Sequence, residues 1–323
     1  MKETVPRRIS STDLKIDPYG PAEMAGRAQS VGVAKAHLDT LTLLTLGVLA
    51  GAFIALGAVF STVVGVDSTL GWGPTRLLAG LAFSLGLVLV VIAGAELFTG
   101  NTLIVMAWLG RQVSAARLLR NWGLAYVGNA IGALATVALV YAAGQWRLAG
   151  GRVGASAATI ANAKVELTFT EAVARGILCN ALVCLAVWLC FSARSNVDRI
   201  FAIIPPITAF VAAGFEHSIA NLYFIPLGIL LKDEAAIQAA GGPAADVTGN
   251  LTWFGFLFDN LLPVTLGNLI GGGLLVGAVY WLVYLRGSSS DSDATPQAGG
   301  NAAGSRDISQ FDAGWRIVVR RTR

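Results

Sequence analysis

Long apolar runs dominate this chain and limit what it can fold into. Six stretches are long enough to cross a membrane, at about 41–64, 76–108, 118–143, 169–192, 200–231 and 260–285. A span needs about 20 mostly apolar residues at about 1.5 Å rise each. Backbone polar groups in lipid must be satisfied within the segment, so the runs predict helices. The alternation that a membrane strand needs is absent from them. Composition agrees: 55% of residues are hydrophobic and 13% charged, against about 25% charged in a soluble domain. The expected class is an all-α integral membrane protein. The net charge of +4 sits largely in tails and short loops, so it is read as membrane topology and not as a nucleic-acid footprint.

Three domains are expected. Residues 1–36 form an N-terminal tail, in which the segment from Pro21 predicts a helix lying at the membrane surface. Residues 37–286 are expected to form the transmembrane domain. Residues 287–323 are low-complexity and are expected to be disordered. Arg111, Arg117, Arg120, Arg194, Arg199, Arg286 and Lys35 share one side of a six-span topology. The positive-inside bias then makes both termini cytoplasmic.

Two spans are interrupted in the same way. Residues 94–101 read GAELFTGN and residues 214–221 read GFEHSIAN, both Gly-x-Glu-x-x-x-x-Asn. Spans three and six also match, with Gly-Asn-x-Ile-Gly at 128–132 and 267–271. Gly47-Val48-Leu49 and Gly176-Ile177-Leu178 are a weaker echo in spans one and four. The landmarks give two halves of three spans. An odd number of spans inserts the second half upside down, so the repeat is inverted, with helices 2 and 5 broken. Such breaks line a cavity or a transport path near the midplane. Ionisable residues within spans are costly and mark function. The break residues are Glu96, Gly100, Asn101, Glu216 and Asn221. Glu96 and Glu216 are expected to be structural, bonded to backbone amides freed at the breaks. His217 is the sharpest candidate, since imidazole changes charge near neutral pH. The other histidine, His37, precedes span one and is expected at the surface. Cys179, Cys184 and Cys190 have no zinc-site spacing and read as small hydrophobes. No metal or cofactor is expected, and no catalytic set for an intramembrane enzyme is present. A sodium-coupled secondary transporter is a further alternative.

GAELFTGNTLIV and GFEHSIANLYFIP resemble the two signatures of the formate/nitrite transporter family. TEAVARGILCNALVCLAVWL and DNLLPVTLGNLIGGGLLVGAVYWLVYL resemble its fourth and sixth spans, most closely in the formate-channel branch. The resemblance covers about residues 20–286. It implies an aquaporin-like protomer in a homopentamer, with one pore per protomer passing small monovalent anions. Formate is the expected substrate, nitrite and hydrosulfide are the alternatives, and the bacterial inner membrane is the expected location. It places His217 in a central chamber, where it would donate a hydrogen bond or a proton to the anion. Thr99 and Asn180 match positions that hydrogen-bond this histidine. Lys164, in an outer loop, resembles a lysine that attracts anions. Leu87, Phe210, Phe83, Leu97 and Phe98 match apolar constriction positions, and Asn268 a pore-side asparagine whose repeat mate is Asn129.

Overall fold

The computed structural model describes residues 17–244 and 247–287. The expected disordered tail at 287–323 lies outside them apart from Gly287, as does the start of the N-terminal tail. Ten helices carry the architecture: α1 (Pro21–Ala36), α2 (Thr40–Gly65), α3 (Trp72–Ala93), α4 (Phe98–Leu109), α5 (Ala115–Ala142), α6 (Arg152–Val165), α7 (Phe169–Ser192), α8 (Asn196–Ala212), α9 (Ser218–Leu231) and α10 (Gly255–Tyr284). Five of them, α2, α3, α5, α7 and α10, are long and apolar enough to cross a membrane. The other two apolar runs are divided, 76–108 into α3 and α4 and 200–231 into α8 and α9. α10 widens into π-type turns at Gly255–Leu261 and Leu269–Ala278.

Each break begins at the glycine of its Gly-x-Glu motif. Gly94 has φ +81° and Gly214 has φ +73°, a left-handed conformation that glycine adopts without a Cβ clash. The chain then runs non-helically through Glu96 and Glu216 and starts a new helix at Phe98 and Ser218.

The Gly-Asn-x-Ile-Gly stretches explain their weaker partners. α5 packs on α2, and α10 packs on α7. A Cβ at Gly132 would collide with the Val48 carbonyl, and one at Gly271 with the Ile177 carbonyl. Close backbone approach at small residues is how helices associate where lipid supplies no hydrophobic drive. That contact also carries each asparagine to its break.

Two elements depart from the sequence expectation. α1 is more than a helix on a surface: Met24, Ala25 and Ala28 are buried in a cluster with Leu103, Met106 and Trp188. α6 replaces the expected loop around Lys164. Its Ala155, Ala158, Ala161 and Val165 repeat at helical spacing and are buried, and the helix packs on α9. Alanine and glycine give this face little hydropathy, so it does not stand out as an apolar run. With α1 and α6 included, the repeat unit has four parts: a short helix, a span, a broken span and a span.

Candidate functional site

Both breaks are held by the same frame. In the first, Asn129 Oδ1 accepts the Phe98 amide at 2.9 Å, while its Nδ2 donates to the carbonyls of Gly47 (2.8 Å) and Glu96 (2.9 Å). In the second, Asn268 Oδ1 accepts the Ser218 amide at 2.9 Å, and its Nδ2 donates to Gly176 (2.8 Å) and Glu216 (3.0 Å). A buried unpaired backbone group costs about 1–3 kcal/mol, so these asparagines make the breaks tolerable.

The glutamates are not bonded to freed amides, contrary to expectation; the asparagines hold that role. Glu96 instead accepts from Lys35 Nζ at 2.7 Å and from Asn101 Nδ2 at 2.8 Å. Glu216 accepts from Lys164 Nζ at 2.9 Å and from Asn221 Nδ2 at 2.7 Å. Asn101 donates on to Asn121 (2.9 Å) and Asn221 to Asn260 (2.7 Å). Asn121 and Asn260 close each ring by donating to the carbonyls of Lys35 (2.9 Å) and Lys164 (2.8 Å). Each lysine is the penultimate residue of its short helix, α1 or α6. The sequence held a signal for the second asparagine pair: Asn121 and Asn260 each precede Asn129 and Asn268 by eight residues, a spacing that returns to one helix face.

Two cavities flank the breaks. One, of about 390 Å³, is lined by Arg76, Phe83, Lys164, Phe210, Glu216 and His217 among others. The second, of about 40 Å³, is lined by Lys35, Leu87, Leu97, Gly100 and Asn101 among others. α3 contributes Thr75, Arg76, Ala79 and Phe83 to the first and Leu87, Val90 and Val91 to the second. The cavities therefore open towards opposite ends of α3. Phe83 and Leu87 are four residues, about one helical turn or about 6 Å, apart, and the barrier between the cavities lies there.

The wall on the Lys164 side is aromatic. Phe83 meets Phe210 edge-on at 5.5 Å between centroids and stacks on Phe224 at 6.5 Å. Phe210 stacks on the His217 ring at 5.9 Å. Phe224, which sequence reading missed, also lies 5.3 Å below the Lys164 ammonium. Phe98, expected at a constriction, lines neither cavity. Its ring packs edge-on against Tyr126 at 4.9 Å, and Tyr126 Oη lies 3.0 Å from Thr265 Oγ1.

His217 caps α9. Its Nδ1 accepts the Ala220 amide at 3.1 Å, and its Nε2 lies 3.0 Å from Thr99 Oγ1. An amide N–H only donates, so Nδ1 holds a lone pair. The ring proton of the neutral imidazole is then on Nε2 and is donated to Thr99. The Thr99 hydroxyl proton has no acceptor of its own among the described residues. Asn180 does not bond His217. Its Nδ2 donates to the carbonyls of Thr99 (3.2 Å) and Asn268 (2.7 Å) and to Thr102 Oγ1 (3.3 Å), and its Oδ1 is buried without a partner. Asn180 thus holds the Thr99 backbone and leaves the imidazole to Thr99 itself.

The formate/nitrite transporter family matches residues 22–282. This chain belongs to that family. It is 45% identical over 277 residues to the formate channel FocA of Escherichia coli (strain K12), covering 85% of this chain and 97% of that protein. Identity to the formate channel FocA of Haemophilus influenzae is 38% over 260 residues, covering 80% and 92%. Among solved structures, a pentameric formate channel with formate bound superposes with a TM-score of 0.71 at 43% identity, covering 76% of this chain and 98% of that one. An ion channel of the same family superposes with a TM-score of 0.68 at 28% identity. Family membership makes the chain a multi-pass membrane transport protein and no enzyme.

Proposed function

We propose that this protein is a channel for small monovalent anions, with formate as its principal substrate. One observation carries the reading: two cavities on opposite sides approach within one helical turn, and the His217 imidazole, its Nε2–H held by Thr99, lines the first of them beside that gap. An anion leaving water for an apolar gap loses hydration worth many kcal/mol unless donors replace it. Phe83, Phe210, Leu87 and Leu97 form the apolar sleeve that excludes hydrated ions by dewetting. His217 stays neutral while its Nδ1 accepts the Ala220 amide, and its Nε2–H reaches an anion only in exchange for Thr99 Oγ1. Proton transfer through the ring requires that cap to be released. The name and bound ligand of the solved relative support formate and a homopentamer, and the two cavities within one protomer support one pore in each. The basic loops support both termini on the cytoplasmic side of a bacterial inner membrane.

The test is flux into liposomes holding the purified protein, with formate, nitrite and hydrosulfide compared over a pH series. Fast formate flux with slower flux of the other two is expected. A preference for nitrite or hydrosulfide overturns the substrate and leaves the pore; a requirement for a sodium gradient overturns the channel.

A further inference from the structure

We infer that the pocket between the end of α1 and the starts of α2 and α5 binds the phosphate headgroup of an anionic membrane lipid. The pocket, of about 390 Å³, is lined by Ala36, His37, Leu38, Arg117 and Arg120. It shares no lining residue with the two cavities that flank the breaks. The site is therefore separate from the transport path and does not depend on which anion passes.

Basic side chains meet there without a counter-charge. Arg120 donates to the Leu38 carbonyl at 3.0 Å and to Thr40 Oγ1 at 2.8 Å. Both acceptors are neutral, so they orient the guanidinium and leave its charge in place. The Arg117 side chain makes no hydrogen bond or ion pair among the described residues. His37 Nδ1 lies 2.8 Å from the Val33 carbonyl. A carbonyl only accepts, so Nδ1 carries the proton and Nε2 is left for an outside partner. The carboxylate next in sequence, Asp39, caps α2 by accepting the Thr42 amide at 3.0 Å and does not line the pocket. Left empty, the arrangement is unfavourable. Arg117 stands in the first turn of α5, where the helix dipole disfavours cations and no acidic residue offsets it. Arg117 and Arg120 share a helix face, where like charges repel. A bound anion relieves both costs.

The internal repeat supplies a comparison. The matched junction in the second half, between the end of α6 and the starts of α7 and α10, is also a pocket, of about 260 Å³. Leu38 is matched by Leu167. His37, the cap of α1, is matched by Glu166, the cap of α6. Arg120, just before Asn121, is matched by Asp259, just before Asn260. Leu167, Glu166 and Asp259 all line the second pocket. The fold thus makes the hollow twice, and the sequence lines it with cations on one face and carboxylates on the other. Basic pockets between spans on the cytoplasmic side suit anionic headgroups, and the positive-inside reading puts the basic pocket on that side. A lipid fits it better than a free ion does. Leu41 and Leu119, near the starts of α2 and α5, are 75% and 61% exposed. They offer acyl chains an apolar surface beside the pocket, which inorganic phosphate does not use.

The experiment is native mass spectrometry of the full chain released from micelles carrying equal amounts of phosphatidylglycerol and phosphatidylcholine. The wild type should retain phosphatidylglycerol preferentially, by about fivefold for each arginine. Arg117→Gln alone should cut that preference about fivefold. Its side chain holds nothing in the fold, so this variant should fold as the wild type does. Arg117→Gln with Arg120→Gln should leave a preference below about twofold. Arg117→Lys with Arg120→Lys should keep most of it, which separates charge from the lost Leu38 and Thr40 bonds. Glu166→Gln with Asp259→Asn should leave it unchanged. Equal retention of the two lipids by the wild type overturns the site, and so does full preference in Arg117→Gln. Displacement of the lipid by inorganic phosphate at equal concentration would assign the pocket to the free ion and overturn the lipid. A wild type that retains neither lipid, with an oligomer that dissociates in the glutamine double variant, would make the pocket a contact between copies of this chain and overturns the inference as well.

Discussion

Leu97 and His217 occupy matched positions in the two halves. Each follows its glutamate and precedes the first residue of a new helix, and each helix start is bonded to an asparagine of the Gly-Asn-x-Ile-Gly stretch. The lysine, glutamate and paired asparagines around them are the same in kind and nearly the same in distance. What differs is the side chain presented to the gap: apolar from the first half, hydrogen-bonding from the second. The frame is thus a device for breaking a helix inside a membrane, used twice, and the chemistry is added to one copy only. The frames also differ in two bonds, one being from Asn260 Nδ2 to Glu216 Oε2 at 3.4 Å in the second frame. Lys35 donates to Asn101 Oδ1 at 3.1 Å as well as to Glu96, while Asn221 Oδ1 is buried without a partner.

That comparison can be broken most forcefully at the carboxylates. Glu216→Gln strands the Lys164 cation, and removing one member of a buried ion pair costs about 3–5 kcal/mol. Glu96→Gln should cost less, since Lys35 keeps Asn101. Thermal unfolding in detergent measures both, and equal losses would show that the extra bond is worthless. Next are Asn129→Leu and Asn268→Leu, each expected to lose roughly 2–3 kcal/mol from stranded backbone groups. If either is neutral, that break does not depend on its asparagine.

Changes at the gap act on flux more than on folding. His217→Leu makes the two halves alike. Loss of one donor to a desolvated anion, about 1.4 kcal/mol or more, should slow formate flux about tenfold, with little change in unfolding temperature. Undiminished flux would remove His217 from the path. The smallest effect is expected from Thr99→Val, which leaves the Nε2–H of His217 without its acceptor. A fall in flux of a few-fold, together with an altered pH profile, would show that Thr99 sets the ring's state.

The fold was readable wherever the sequence repeats itself. Gly94 and Gly214 mark the breaks because the backbone conformation there is one that glycine tolerates. Asn129 and Asn268 stand out because each sits between glycines that must touch a neighbouring backbone. α6 was hidden because its buried face is alanine and glycine, which give no apolar run. Lys164 was consequently read as a loop residue when it closes a helix against Glu216. In the site, His217 was legible as the one histidine within a span. Phe98 was misread because a phenylalanine beside a break looks the same whether it faces a pore or Tyr126. His37 and Arg120 were missed as a pair because they lie 83 positions apart in the sequence and only the fold brings them to one pocket.

The closeness of the two cavities has an electrical consequence. Water and mobile ions in the 390 Å³ cavity carry the potential of their own side inwards as far as Phe83 and Phe210. The transmembrane voltage then falls mainly across the remaining turn or so of protein around Leu87 and Leu97, not across the full hydrocarbon thickness of about 30 Å. The work of about 2.3 kcal/mol per unit charge per 100 mV is done there, in one short step. An anion that reaches His217 from the Lys164 side has gone deep into the protein and met little of the voltage.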